Sequence, residues 1–126
     1  MRVELTVCGF FDAAHRMPSH SMKTRHRIHG HTYHVQVTLN NVSQVFDVDT
    51  ERARLKSLLM EFDHRQIAES SDDVVDGHDA LVLGEPVTME ALARRLAARY
   101  EQGAPKGLVR RVRVSSQPDA YAEVVL

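Results

Sequence analysis

One stretch of the sequence alternates between polar and apolar residues: HGHTYHVQVTL, residues 29–39. Residues two apart on a β-strand point to the same face, so this alternation predicts a strand with one buried side. From position 31 the two sides hold His31, Tyr33, Val35, Val37 and Leu39, and Thr32, His34, Gln36 and Thr38. The apolar side needs cover, and we expect a symmetric oligomer to supply it.

Further strands are predicted on both sides of this stretch. They cover residues 3–11, with Val3, Leu5, Val7 and Phe11 on one face, a short run at 45–48 after an Asn40-Asn41 turn, and residues 109–114 and 121–125. Residues 16–27 are polar and basic, and residues 70–79 are acidic, so we expect both segments to be surface loops.

Two helices are predicted between the strands. Asp49 or Thr50 would cap a helix with Leu55, Leu58, Leu59 and Phe62 at helical spacing, ending near Phe62. Thr88 would cap a second helix with Leu92, Leu96 and Tyr100 as its buried stripe, ending before Gly103. This order of elements predicts one α+β domain over residues 1–126, an antiparallel sheet with both helices on one face.

Composition excludes several classes of function. The 126 residues carry a formal charge of −1 and are 43% hydrophobic, with no apolar run long enough to cross a bilayer. Neither nucleic acid nor a membrane is therefore an expected partner. The single Cys8 cannot form an internal disulfide, and we expect a small buried residue in a soluble, cytoplasmic protein.

Six of the eight histidines lie between residues 15 and 34, which suggests a metal site. His29 and His31 share a strand face, and an adjacent antiparallel strand would bring His15 level with them. Three imidazoles with one open position are typical of catalytic zinc. The alternative is that His29 and His31 are solvated side chains at a strand start. Cys8 would point away from His15 on the same strand.

Four motifs together resemble the 6-pyruvoyltetrahydropterin synthase and 6-carboxytetrahydropterin synthase family. They are Phe11-Asp12-Ala13-Ala14-His15, His29-Gly30-His31-Thr32-Tyr33, Phe62-Asp63-His64 and Pro86-Val87-Thr88-Met89-Glu90-Ala91-Leu92-Ala93. The resemblance implies a tunnelling fold and homohexamers of paired trimers, assembled as an oligomeric barrel. It also implies Zn2+ on the equivalents of His15, His29 and His31, and an active site between subunits.

The same resemblance implies a proton-transfer relay at Asp63 and His64. The family's catalytic Cys aligns with Arg25, so His26 becomes a candidate base, while Arg25 suits a carboxylate or phosphate of the substrate. The family's pterin-holding Glu aligns with Ser116-Gln117, although a short shift could bring Glu123 into that role. Further candidate substrate-binding residues are Thr88, Glu90 and Gln117.

Two functions follow from these residues. The first is a zinc-dependent lyase that acts on a pterin-like, anionic small molecule by proton transfer and elimination. The second is a catalytically silent paralogue that binds a pterin-like ligand or assembles with an active relative. In the lyase, His64 next to Asp63 is the leading general acid/base; alternatively, Asp63 caps the end of the preceding helix and His64 is merely exposed.

Overall fold

A computed structural model describes residues 3–16, 28–40, 47–75 and 77–126, with the backbone alone for residues 16 and 29. Over these residues the strands are β1 (Glu4–Arg16), β2 (Ile28–Asn40), β3 (Arg65–Ala68), β4 (Ala80–Val82), β5 (Val109–Gln117) and β6 (Ala120–Val125). The helices are α1 (Val48–Leu59) and α2 (Met89–Gln102), and a single 3-10 turn covers Ser71–Asp73.

The six strands form one sheet in the order β4-β3-β1-β2-β5-β6. β1, β2, β5 and β6 are antiparallel neighbours, whereas β3 pairs in parallel with both β1 and β4. The predicted α+β class with two helices is confirmed. The sheet is mixed rather than purely antiparallel because β3 and β4 add a parallel edge that the sequence did not predict.

β1 and β2 form a long hairpin whose register runs from Glu4 opposite Asn40 to Arg16 opposite Ile28. The predicted alternation is confirmed, because the apolar residues on one face of both strands are buried: Val7, Phe11, Tyr33, Val35, Val37 and Leu39. This apolar side packs within the chain's own core, so the expectation that an oligomer must cover it is wrong. The opposite face is the open one, and there Phe10 is 61% exposed.

α1 begins two or three residues earlier than predicted. Its N-cap is Asp47, whose Oδ1 accepts from the backbone N–H groups of Asp49 at 3.1 Å and Thr50 at 3.4 Å. Asp49 and Thr50 therefore lie in the first turn, where a negative charge favours the helix N-terminus. The strand expected at 45–48 does not extend to Val48, which is helical, and residues 45 and 46 lie outside the described part of the chain.

α2 matches its prediction closely. Thr88 Oγ1 accepts from the N–H of Ala91 at 3.1 Å, and the helix ends at Gln102, one residue before Gly103. Its stripe of Leu92, Leu96 and Tyr100 is buried as predicted. The core therefore lies between the two helices and the apolar face of the sheet.

The two helices meet at a buried polar contact. The Tyr100 hydroxyl donates to Glu51 Oε2 at 2.7 Å, and Glu51 is also 3.4 Å from Arg54 Nε. Burial and the neighbouring carboxylate raise the pKa of the Tyr100 phenol, so it stays protonated and remains a donor. The contact gives the Glu51 carboxylate partners on both helices.

Cys8 is exposed, contrary to the expectation that it would be buried. It lies on the open face of β1, on the side opposite to His15, because the two residues are an odd number of positions apart. Its neighbour Gly9 faces α1, where a Cβ atom would lie 2.7 Å from Leu59 Cδ1. The missing side chain lets α1 pack close to the sheet.

None of the described helices is long and apolar enough to cross a membrane.

Candidate functional site

The hairpin register brings His15 and His31 together. His15 pairs with His29 across the β1–β2 ladder, and Ala13 pairs with His31, so His15 and His31 are diagonal neighbours. Their rings are stacked, with centroids 5.0 Å apart and an interplanar angle of 23°. Only the backbone of His29 is described, and it lies directly opposite His15. The ladder therefore fixes the backbone of His29 opposite His15.

Tyr33 holds the ring of His15. Its hydroxyl lies 3.1 Å from His15 Nδ1, and both side chains are buried. Burial raises the pKa of Tyr33 to about 12, so the phenol stays neutral near pH 7. Because Nδ1 is engaged by Tyr33, an ion bound to His15 would meet Nε2. Sequence reasoning missed Tyr33 as a site residue, although its position two residues after His31 on the same face was a signal.

This donor set suits zinc. Two neighbouring imidazoles offer the nitrogen ligands that zinc prefers, and one of them has its second nitrogen fixed by a buried phenol. Such an outer partner sets the orientation of a ligating ring. His15 and His31 could hold the ion together with His29, whose backbone is at the right place in the ladder.

Asp63 and His64 lie on a tight turn after α1, and this turn is hydrogen-bonded to β1. The N–H of Asp12 donates to Asp63 Oδ1 at 2.9 Å, and the N–H of His64 donates to the Asp12 carbonyl at 2.7 Å. His64 has a φ of 58°, the left-handed region that side chains seldom adopt. The carboxylate of Asp63 therefore binds the sheet, not the end of the helix.

The Asp63 carboxylate also orients the His64 ring. His64 Nδ1 lies 2.9 Å from Asp63 Oδ2, while the His64 side chain is 79% exposed. The Asp12 N–H, followed by the His64 contact, lowers the pKa of Asp63 despite partial burial. An ionised Asp63 favours the proton on Nδ1 and leaves Nε2 as the atom that exchanges protons with solvent or a ligand.

Asp12 completes this group, and sequence reasoning missed it as well. Its carboxylate accepts from Thr32 Oγ1 on the neighbouring strand. Asp12, Asp63 and His64 each present a ligand atom within 4.8 Å of the others. The signal available in the sequence was its place in the Phe11–His15 motif, on the strand face opposite to His15.

A cleft of about 580 Å³ opens beside these residues. Strand residues from β1 and β2 line part of the cleft: Asp12, Ala14, Gly30 and Thr32. The other lining residues are Ala13, His31, His64, Arg65, Gln66, Gly77, His78 and Asp79. His31 and His64 both border it, so the cleft reaches one histidine of the stacked pair and the Asp63–His64 turn. Its volume falls within the usual range for small-molecule sites.

The other predicted site residues lie elsewhere or outside the description. Arg25 and His26 fall in the segment 17–27, which is outside the described residues. Thr88 caps α2, and Glu90 is exposed in the first turn of that helix. Gln117 lines a second pocket of about 380 Å³ with Ser116, and none of Thr88, Glu90 and Gln117 lines the larger cleft.

The second pocket lies on the open face of the sheet. Its lining includes His34, Arg113 and Tyr121, and the Arg113 guanidinium lies 3.7 Å from the centre of the Tyr121 ring. Glu123 does not line this pocket: its carboxylate is 3.2 Å from Arg113 Nε and 3.9 Å from Arg111 Nε. Glu123 is therefore committed to two arginines within the chain.

Comparison with solved structures defines the class of fold. The structure matches the 6-pyruvoyl tetrahydropterin synthase of Plasmodium vivax with a TM-score of 0.76 at 19% identity, covering 98% of this chain and 97% of that one. It matches the Caenorhabditis elegans enzyme with a TM-score of 0.73 at 18% identity, covering 100% and 96%. The predicted tunnelling fold is confirmed.

Comparison of sequences gives the family. A protein of Pyrococcus horikoshii, provisionally named as a 6-carboxy-5,6,7,8-tetrahydropterin synthase, is 30% identical over 90% of this chain and 84% of its own. The family model for 6-pyruvoyl tetrahydropterin synthase matches residues 4–125. The chain belongs to the 6-pyruvoyl tetrahydropterin synthase family.

Proposed function

We propose that the protein is a zinc-dependent lyase acting on a pterin or pterin-like small molecule by proton transfer and elimination. The observation that carries the proposal is the stacked pair of His15 and His31, with His15 directly opposite His29 in the β1–β2 ladder. Family membership and the provisionally named Pyrococcus relatives support the same class of chemistry.

Zinc on His15, His29 and His31 would polarise a substrate carbonyl or hydroxyl, or lower the pKa of bound water. The protein's own part is proton transfer. Asp63 fixes His64 with Nδ1 protonated, so His64 Nε2 takes a proton from the substrate carbon or returns one to the leaving group. Asp63 stays ionised and stabilises the imidazolium that forms.

The substrate is proposed to be small and anionic. The cleft of about 580 Å³ admits a bicyclic ring with a short side chain. Arg25 would bind the carboxylate or phosphate of that side chain, since a guanidinium presents a planar pair of donors. Thr88, Glu90 and Gln117 lie away from this cleft, so any contact they make belongs to another part of the site.

The proposed proton transfer uses a base other than the family Cys. In Plasmodium vivax, a glutamate of the 6-pyruvoyltetrahydropterin synthase is described as a catalytic residue. A catalytic residue other than cysteine in a protein of this fold supports the proposal. In the present chain the base would be His64, with His26 as a second candidate beside Arg25.

The second candidate function is a silent paralogue that binds a pterin-like ligand or assembles with an active relative. The position of Glu123 favours it, because that carboxylate is held by Arg111 and Arg113 and is not available to pair with the donors of a pterin. Ser116 and Gln117 offer neutral groups instead. Loss of a matched carboxylate leaves N–H donors of the ligand poorly paired.

A homohexamer is proposed as the working assembly. Among the described strands, β3 pairs with β1 only at Ala13 and Ala14, so the β1 edge from Leu5 to Phe11 is not paired with a described strand on that side. The outer edge of β6 is likewise open in the described sheet. Two open edges on one chain allow head-to-tail pairing between copies, which closes into a ring.

Two measurements test the enzyme hypothesis. Metal analysis of the purified protein should find stoichiometric zinc, and His29→Ala should lose it while His78→Ala, a histidine outside the proposed ligand set, keeps it. Zinc-free parent protein would refute the site. A turnover assay with dihydroneopterin triphosphate, on the parent and on Arg25→Cys, then separates the two functions: a pyruvoyl or carboxy pterin product rules out the silent paralogue.

A further inference from the structure

The segment between β3 and β4 is attached to the sheet by a buried glutamine. Gln66 is only 2% exposed, and its carboxamide forms two hydrogen bonds to backbone atoms of this segment. Nε2 donates to the Asp73 carbonyl at 2.8 Å, and Oε1 accepts from the Val75 N–H at 2.8 Å. One side chain of β3 thus binds two backbone groups of the segment that follows the strand.

The next residues form one side of the large cleft, here called the cleft wall and consisting of Gly77, His78 and Asp79. The last residue of the wall, Asp79, is bonded to β3. The N–H of Gln66 donates to the Asp79 carbonyl at 3.0 Å, and Arg65 Nε lies 3.2 Å from Asp79 Oδ2. Gln66 therefore contacts the segment before the wall and also the last residue of the wall.

His78 is the side chain that this wall offers to a ligand. Its N–H donates to the Val75 carbonyl at 3.0 Å, so its backbone position depends on Val75, which Gln66 holds. The side chain is exposed and borders the same cleft as His64 and Asp12. An imidazole can donate to or accept from a heterocycle that carries both kinds of group.

We infer that His78 is a ligand-contacting residue of the cleft and that Gln66 is its positioning residue. The ligand is the pterin-like heterocycle of the proposed function, on which this part of the inference rests. The placement of the wall by Gln66 does not depend on any ligand. The two halves are therefore tested by different measurements on the zinc-loaded protein.

Amide hydrogen exchange tests the placement of the wall. Gln66→Met keeps the volume of the side chain but removes both hydrogen bonds, so exchange at the Val75 N–H should accelerate at least tenfold, while the N–H groups of β2 keep their protection. Gln66→Glu can still accept from Val75 but has no N–H for Asp73, and its effect should be intermediate. Unchanged exchange at Val75 in Gln66→Met would overturn the inference.

A double-mutant cycle on neopterin binding, followed by pterin fluorescence, tests the contact. Gln66→Met and His78→Ala should each weaken binding about tenfold, the size of one lost hydrogen bond to a ligand. If Gln66 acts through His78, the double variant should bind about tenfold more weakly than the parent, not about a hundredfold. Gln102→Met, which changes an exposed glutamine on α2, serves as the control and should bind like the parent.

The outcomes distinguish failure of the His78 contact from failure of the proposed function. A hundredfold loss in the double variant, or normal binding by His78→Ala, refutes the contact while leaving the pterin site intact. If the parent does not bind neopterin, the proposed function and the His78 contact both fail. Hydrogen exchange at Val75 then still decides whether Gln66 positions the wall.

Discussion

Tyr33 joins the packed core to the proposed ligands of zinc. Its ring stacks on Phe11 with centroids 5.0 Å apart, while its hydroxyl reaches His15 Nδ1. When Nε2 of His15 binds an ion, Nδ1 keeps its proton and donates it to the phenol oxygen. The hydroxyl thus orients the His15 ring and limits its rotation.

Replacing Tyr33 with Phe should therefore weaken zinc binding by roughly 10- to 100-fold, the usual effect of losing a partner of a metal ligand. Competition with a chromophoric chelator measures the affinity. Tyr121→Phe is the matched control, because Tyr121 is 54% exposed and lies on the open face. Equal zinc affinity in Tyr33→Phe and the parent would show that His15 needs no such support.

His64 occupies a backbone conformation that favours glycine. A side chain at a φ of 58° costs about 1–2 kcal/mol relative to glycine. His64→Gly should consequently be more stable than His64→Ala by about 1 kcal/mol, although both lose the imidazole. Urea unfolding measures the difference, and Ala98→Gly, in the middle of α2, should show the opposite sign. A less stable His64→Gly would mean that the turn relaxes to another conformation.

At the scale of the elements, the turn between α1 and β3 depends on an ionised carboxylate. The pKa of Asp63 is lowered in the folded state, chiefly by the Asp12 N–H. Its contribution to stability is therefore present above the ordinary aspartate pKa of about 3.9 and is lost as the pH falls through the lower folded value.

Asp63→Asn keeps an acceptor for the Asp12 N–H but carries no charge. We expect the variant to have a lower free energy of unfolding than the parent at pH 7, and the gap to close as the pH falls from about 4 toward 2. Urea titrations at fixed protein concentration across this range measure it. A gap independent of pH would assign the effect to packing instead of charge.

The hydrogen bond between Tyr100 of α2 and Glu51 of α1 leads to a second prediction about the elements. Tyr100→Phe removes the hydroxyl that donates to Glu51 and leaves a buried carboxylate with one partner fewer. The loss should be about 1–3 kcal/mol of unfolding free energy. Glu51→Gln keeps a hydrogen-bonding oxygen and should cost less than Tyr100→Phe, which chemical denaturation can establish.

The elements differ in how far the sequence predicted them. β2 and α2 each bury one face against the core. This burial produces the alternation in β2 and the spacing of Leu92, Leu96 and Tyr100 in α2, so the buried faces of both elements were predicted correctly. β3 and β4 have only four and three residues and flank an acidic loop, too short for any periodicity to appear. Their parallel pairing also joins distant parts of the chain, which local sequence does not encode.

The residues of the candidate site were also predicted only in part. The register of His15 with His29 followed from the antiparallel hairpin, because two long alternating strands leave few other pairings. Asp12 and Gln66 were missed, since their importance comes from contacts made across the sheet to Asp63 and to the segment at 73–75. The contact between Asp12 and Asp63 depends on the turn after α1, whose first residues, 60–62, the sequence placed in the helix.

For the whole molecule, the open face and open edges of the sheet predict assembly. Phe10 and Tyr121 on the open face are 61% and 54% exposed, and Val125 in β6 is 66% exposed. We expect light scattering at micromolar concentration to give the mass of a hexamer. A stable monomer would contradict the ring closure proposed for β1 and β6, and with it an active site between subunits.

All three proposed zinc ligands lie in the first forty residues, within the single β1–β2 hairpin. That hairpin closes over a short connection, so it can form early during folding, before β5 returns from more than sixty residues away. The coordination sphere would then be complete on the nascent chain before α1 and α2 cover the sheet. Metal capture would thus precede formation of the core, and added zinc would act on the rate of folding rather than on the rate of unfolding.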